Sequence, residues 1–261
     1  MGILNVTPDS FSDGGRFLDR EAAVARGVAI VAEGADIVDV GGESTRPGSD
    51  PVSWAEERDR VVPVIEALVE RVDVPVSIDT RKADVATAAL EAGATIVNDV
   101  SGGRDPEMFD VVKTSGAGMV LMHMLGEPKA MQQAPHYDDV VDEVKEYLLE
   151  RLEAAEFAGI EPDRLVVDPG IGFGKDLEDN LALMRGLGAL LELGRPVLVG
   201  PSRKRFIGTL LGELPPEQRV EGTAGAVAWL VTRGAHIVRV HDVREMVRVV
   251  RVVDAIARAG A

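Results

Sequence analysis

The chain has 261 residues, 46% of them hydrophobic and 28% charged, with 44 acidic against 28 basic residues for a net charge of −16. That length suits one α/β barrel, the acidic surplus argues against non-specific nucleic-acid binding, and no apolar run approaches the ~20 residues of a membrane span. Cysteine is absent and only four histidines are present, none in a zinc-ligand spacing, so disulfides and thiol chemistry are excluded and any metal is expected to be a hard ion on oxygen ligands.

The first residues, Met1-Gly2-Ile3-Leu4-Asn5-Val6, lack a basic n-region and read as a strand instead of a signal peptide, so a cytoplasmic location is expected. Further along come short apolar runs rich in Val and Ile at 35–41, 74–79, 94–100, 118–123, 164–168, 196–200 and 235–241. Between them lie apolar residues at helical spacing, for instance Ala22, Ala25, Val28, Ala29 and Ala32. Near-continuous apolar strands alternating with amphipathic helices predict a parallel sheet covered by helices. Glycines at 34, 93, 116 and 234 fall where helices should end before the next strand. Eight such units, counting residues 2–6 as the first, predict a single-domain α/β parallel (β/α)8 barrel over residues 1–261; an open doubly wound sheet more often has five to seven strands.

The strand ends carry Asn5, Asp39, Asp79, Asn98, His123, Asp168, Ser202 and His241. In a barrel these positions ring the C-terminal face, where barrel active sites sit. One polar strand end is an ordinary turn residue; eight in register predict a functional ring. After the first strand, Asn5-Val6-Thr7-Pro8-Asp9-Ser10-Phe11-Ser12-Asp13-Gly14-Gly15 is long for a βα loop and carries an aromatic and two carboxylates, as functional loops at this face do.

This segment resembles the first signature of the dihydropteroate synthases, and Asp39-Val40-Gly41-Gly42-Glu43-Ser44-Thr45-Arg46-Pro47-Gly48 resembles the second. The resemblance continues through Ser77-Ile78-Asp79-Thr80-Arg81, Val97-Asn98-Asp99-Val100-Ser101-Gly102 and Met122-His123-Met124. It runs on through Asp168-Pro169-Gly170-Ile171-Gly172-Phe173-Gly174-Lys175, Ser202-Arg203-Lys204 and Arg239-Val240-His241-Asp242. The blocks span nearly the whole chain in order. The implied reaction joins 6-hydroxymethyl-7,8-dihydropterin pyrophosphate to 4-aminobenzoate and expels pyrophosphate along an SN1-like path.

The residue types suit that chemistry. Asp79, Asn98 and Asp168 can accept the donors on the aminopyrimidinone edge of a pterin, and charged acceptors bind more strongly than neutral ones. Lys204 and Arg239 can sit over a pterin face or meet diphosphate oxygens. By resemblance, His241 and Asn5 are diphosphate ligands, and Mg2+ is expected with Asn5 and Asp13. Thr45, Arg46, Pro47 and Ser202 are expected around the aminobenzoate, Phe11 and Phe173 as ring walls, and Met122 and Gly200 in the substrate pocket. The same resemblance implies a homodimer through the late helices. Gly170–Lys175 lacks the Gly-Lys-Ser/Thr ending of a nucleotide P-loop, and His136 and His236 read as structural or solvent-facing. A methyltetrahydrofolate:corrinoid methyltransferase-like barrel would share Asp79, Asn98 and Asp168 but not need the first two loops or Ser202-Arg203-Lys204. A pterin-binding paralogue without catalysis is the other alternative.

Overall fold

Parallel strands that are covered by helices on one side and packed on one another inside must be apolar on both faces. Val38, Val40, Ile78, Val97, Leu121 and Val167 meet that demand, each with essentially no exposure. They belong to a computed structural model that describes residues 1–7, 15–44, 51–126, 131 and 135–259, with backbone alone for 15–19.

In chain order the elements are β1 (Gly2–Asn5), α1 (Gly15–Ala32), β2 (Val38–Gly41), α2 (Trp54–Val69), β3 (Val76–Asp79) and α3 (Ala83–Glu91). Next come β4 (Ile96–Asp99), α4 (Met108–Ser115), β5 (Gly118–Met122), α5 (Val140–Ala158), β6 (Leu165–Asp168), α6 (Leu177–Arg185) and α7 (Leu187–Leu191). The chain then forms β7 (Leu198–Val199), α8 (Arg205–Leu210), α9 (Val220–Thr232), β8 (Ile237–Val238) and α10 (Val243–Arg258).

Strands β1 to β6 pair in sequence order, all parallel, and β7 pairs with β8. Single bridges join the two sheets, Val167 to Val197 and Gly2 to Val240. The backbone bonds at these joints are ordinary: Val167 N–H to Pro196 O at 3.0 Å, Ile3 N–H to Val240 O at 3.0 Å, and Val240 N–H to Met1 O at 3.0 Å. The ring is therefore closed, as a (β/α)8 barrel requires.

Two details differ from the sequence reading. The runs at 196–200 and 235–241 contribute only two strand residues each; in the first, Pro196 has no N–H to give the ladder and offers only its carbonyl. One helix per strand is also too few: Gly186 separates α6 from α7, and the segment before β8 is split into α8 and α9. The predicted glycine stops hold, as at Gly116, whose left-handed conformation (φ 69°) ends α4. No helix among the described residues is long and apolar enough to cross a membrane.

The parallel register levels the polar strand ends. Asn5 lies opposite Gly41, Gly41 opposite Asp79, and Asp79 opposite Asn98. Across the ring, Met122 lies opposite Asp168.

Candidate active site

Strands β2, β3 and β4 bring Asp39, Asp79 and Asn98 to one side of the barrel mouth, all buried. Arg239, one residue beyond β8, reaches across to them. Its Nε donates to Asp39 Oδ2 at 2.6 Å and its Nη2 donates to Asp79 Oδ2 at 2.6 Å. Asn98 Nδ2 donates to the same Asp39 oxygen at 3.0 Å. Among the described residues, Asp39 Oδ1 and Asp79 Oδ1 are buried with no hydrogen-bond partner. A buried carboxylate oxygen without a donor is costly, and two of them at one barrel mouth mark a place where a ligand supplies donors.

Burial pushes the Asp79 carboxyl up to about 7, against the pull of Arg239 and with help from Asp39, Glu57 and Asp99. Burial also raises Asp168, opposed by Lys204, its own bond from the Gly170 amide, and Arg239. For Arg239 burial works against the charge, but Asp39, Asp79 and Asp168 outweigh it and hold the guanidinium above its usual value. The guanidinium fork suits this task because it meets two carboxylates with fixed geometry.

Asp168 ends β6 and turns the chain into the glycine-rich loop. Its Oδ1 accepts from Gly170 N–H at 2.7 Å. Gly170 is left-handed at φ +66°, and a Cβ there would fall 1.9 Å from the His123 carbonyl oxygen, so only glycine fits. Downstream in this loop, the Phe173 ring lies beneath Lys204, whose Nζ is 4.5 Å from the ring centroid. Lys204 Nζ also donates to Ile171 O. Burial brings Lys204 down to about 8; Asp168 counters this, while Arg239 adds to it.

Ser202 and His241 meet behind Lys204. Ser202 Oγ lies 3.0 Å from His241 Nδ1 and accepts from His241 N–H at 3.1 Å. Arg203 between Ser202 and Lys204 is left-handed at φ 57°. The strain is held by its N–H bond to Thr223 Oγ1 at 3.1 Å and by a paired contact to Asp242, with Nε to Oδ2 at 2.9 Å. A left-handed non-glycine residue at a mouth loop is a feature typical of functional sites.

The remaining predicted residues divide into two groups. Asn5 closes β1 and is part-exposed, Met122 packs with Val100, Met124 and Met131 against Phe173, and Gly200 leaves a Cβ position 3.8 Å from Lys204 Nζ. Phe11, Asp13, Thr45, Arg46 and Pro47 lie outside the described residues. His136 is exposed beside Asp138, and His236 accepts from Val197 N–H through Nδ1 at 3.1 Å, so both are structural or solvent-facing as read. Sequence reasoning missed three features: Asp39 as the hub of the carboxylate pair, the buried Lys175, and the buried Glu57, which Lys82 contacts at 2.5 Å while also bonding Val52 O at 2.8 Å. The signal for Asp39 was a charge inside an apolar run.

A parallel barrel with carboxylates, an arginine and a lysine gathered at its C-terminal mouth defines a class of α/β-barrel enzyme, and comparison with known proteins narrows it. The family model described as pterin binding enzyme matches residues 1–241. The dihydropteroate synthase of Mycobacterium leprae is 50% identical over 267 aligned residues, covering 100% of this chain and 94% of that one. The Xanthomonas albilineans dihydropteroate synthase, solved with 4-aminobenzoic acid, is 52% identical with a TM-score of 0.94, covering 99% of this chain and 92% of that one. Another structure of the Xanthomonas enzyme, in complex with 7,8-dihydropteroate, is 50% identical with a TM-score of 0.90, covering 99% and 93%. The chain belongs to the pterin-binding enzyme family. Within it, the chain is a transferase of the dihydropteroate synthase kind.

Proposed function

We propose that this barrel, as one domain, condenses 6-hydroxymethyl-7,8-dihydropterin pyrophosphate with 4-aminobenzoate and releases pyrophosphate. The observation that carries the reading is Arg239 shared between Asp39 and Asp79, each of which keeps a buried oxygen open. The open Oδ1 of Asp79, with Asp168 and Asn98, takes the donors of the pterin edge. Phe173 walls the ring, Lys204 and Arg239 supply positive charge at its face and toward the diphosphate, and Met122 and Gly200 shape the pocket.

Breaking the bond from the pterin CH2 to the diphosphate leaves a carbon whose positive charge the ring nitrogens share, an SN1-like path. The protein's work is then electrostatic preorganisation. Asp79 and Asp168 stabilise the electron-poor ring, and Arg239, His241 and Asn5 take up charge on the leaving group. The neutral aniline nitrogen is already a nucleophile, so no strong base is required. Thr45, Arg46, Pro47 and Ser202 bind the aminobenzoate, with Phe11 as a second wall.

The donor set fits a hard cation that arrives largely with the substrate. Among the described residues no three His, Asp or Glu side chains cluster for a metal, while Asn5 offers one hard oxygen at the end of β1 and Asp13, outside the described residues, is the second proposed ligand. Mg2+ commonly keeps several waters and uses one or two protein ligands plus phosphate oxygens; bound by Asn5, Asp13 and the diphosphate, it would add positive charge where the leaving group forms.

The enzyme is proposed to act in the cytoplasm as a homodimer through its late helices. In support, α6, α8 and α9 enclose an apolar groove of about 380 Å3 lined by Leu181, Met184, Phe206, Ile207 and a half-exposed Trp229. The test of function is pyrophosphate release from the dihydropterin substrate with Mg2+, with and without 4-aminobenzoate. Release with dihydropteroate formed supports the synthase; pterin binding without turnover favours a non-catalytic paralogue, and no pterin binding refutes the reading.

A further inference from the structure

Lys175 is 2% exposed, and the reaction as derived gives it no task. Its ammonium has three N–H donors, and four acceptors lie around it: His123 Nδ1 at 2.8 Å, Phe173 O at 3.0 Å, Gly170 O at 3.1 Å and, more distant, His123 O at 3.5 Å. Burial brings Lys175 down to about 7, with Asp168 countering it and Lys204 adding to it; as an ammonium it can only donate, so in that form His123 Nδ1 accepts and the ring proton sits on Nε2. Burial, reinforced by Lys175 and Arg104, holds His123 down to about 2, so the ring stays neutral and the acceptor persists. The His123 N–H in turn bonds Asp168 O at 3.0 Å. The ends of β5 and β6 and the glycine-rich loop are thus tied to one nitrogen.

That loop is held along its whole length. Lys175 takes Gly170 O and Phe173 O from beneath, Lys204 takes Ile171 O from the mouth, and Tyr137 Oη donates to Gly174 O at 2.8 Å. Gly172 is fixed through its N–H, which donates to Asn180 Oδ1 at 2.6 Å. The two lysines therefore grip opposite sides of one short segment. The segment carries the Phe173 ring under Lys204 at 4.5 Å. Releasing the lower grip leaves the buried Gly170 carbonyl and the part-buried Phe173 carbonyl without the donor that Lys175 gives them, a cost that movement of the loop relieves.

We infer that Lys175 is a positioning residue that fixes the Phe173 ring and the Ile171 carbonyl where they hold Lys204 for the pterin, without itself touching substrate. The inference rests on the reading of Phe173 and Lys204 as the pterin wall. A lysine that merely fills the core would lower stability and weaken both substrates alike; a positioning lysine acts on the pterin side and through Phe173.

The experiment is a double-mutant cycle of Lys175→Met and Phe173→Ala, read by calorimetric titration of the dihydropterin substrate and by KM for 4-aminobenzoate. Lys175→Met is expected to weaken pterin binding on the order of tenfold, the effect of a modest displacement at a binding wall, while KM for 4-aminobenzoate changes less than about twofold. In the Phe173→Ala background the same change is expected to cost less than about twofold, since groups acting through one another are not additive. Fully additive losses, or equal losses for both substrates, overturn the inference. A substrate-free readout separates this from the proposed function: Lys204 side-chain proton signals, shifted by the Phe173 ring in the parent protein, should move toward exposed-lysine values in Lys175→Met. If the parent protein binds no pterin, the functional reading fails while these signals still decide the positioning role. Should Lys175→Met not fold, Lys175→Gln, whose amide keeps two donors, is expected to retain part of both the binding and the ring-shifted signals; unchanged signals in a folded variant overturn the proposal.

Discussion

The substitution Asp79→Asn should make the free protein more stable at mildly alkaline pH and nearly abolish pterin binding. The folded carboxyl titrates at about 7 against an ordinary value of 3.8, with burial as the main cause. The folded chain thus holds a proton between those values that the unfolded chain has lost. Stability from this group is largest below about 3.8, declines as pH rises, and is gone once pH passes about 7. The difference of about three units corresponds to roughly 4 kcal/mol, of which about two units, or roughly 3 kcal/mol, fall between pH 5 and pH 7. An amide has the shape of the protonated carboxyl and no charge to desolvate. The substituted amide can also keep its oxygen toward Arg239 Nη2, and Arg239 retains Asp39. Urea unfolding of both proteins at pH 5 and pH 8 reads the effect of removing this carboxyl together with the shifts it causes in its charged neighbours Asp39, Glu57 and Asp99. The variant should gain roughly 3 kcal/mol on the parent between the two pH values. Its pterin affinity should fall about a hundredfold, since a hydrogen bond to a charged group contributes ~1.5–3 kcal/mol and the amide also turns a donor toward ring N–H groups. Stability curves that stay parallel from pH 5 to pH 8 would refute the burial argument, and unchanged pterin affinity would remove Asp79 from the pocket.

Arg239→Lys keeps the charge but not the fork that spans Asp39 and Asp79, so kcat/KM should drop more than about tenfold, and steady-state kinetics showing a smaller loss would count against the shared-arginine geometry. The pH profile of kcat/KM should rise through about 7 as Asp79 ionises and fall through about 8 as Lys204 loses its proton, because this ratio reports the free enzyme. Lys204→Arg should shift the alkaline limb upward, and an unmoved limb assigns it elsewhere. Gly170→Ala should destabilise the fold by about 3 kcal/mol or more, measured by thermal unfolding, because its φ is +66° and the new Cβ would meet the His123 carbonyl at 1.9 Å.

What the sequence made legible follows from how local each constraint is. Strands β1 to β6 are short Val- and Ile-rich runs whose burial on both faces is written into composition alone. Asp79 and Asp168 each end a strand and Asn98 lies one residue before the end of β4, and the parallel register then levels Asp79 with Asn98. Asp39 was legible as one member of the polar ring but was given no role of its own. It lies two residues inside β2, and its partner Arg239 is 200 residues away, so only closure of the ring shows why a carboxylate can be buried there. Lys175 was hidden for a related reason: once the glycine-rich run was set aside as no P-loop, nothing in the sequence gave its lysine a partner, and only the folded loop reveals the acceptors around its nitrogen. The break between α6 and α7 at Gly186 escaped notice because one glycine within an apolar periodic stretch is compatible with an unbroken helix.

A chain with net charge −16 is an unpromising host for an anionic leaving group unless the site is insulated from that charge. Three buried carboxylates (Asp39, Asp79, Asp168) are matched by the buried Lys175 and the part-buried Lys204 and Arg239. The local balance is near neutral, and surface charges beyond ~8 Å are screened at physiological salt. Because Arg239 uses only Nε and Nη2 on the two aspartates, its position is set before substrate arrives, and one oxygen of Asp79 remains for the pterin. Arginine and pterin therefore need not compete for the carboxylate; each takes one oxygen. The guanidinium is then held with its orientation already fixed when charge develops on the leaving group, which is the condition under which an electrostatic site contributes most to a transition state.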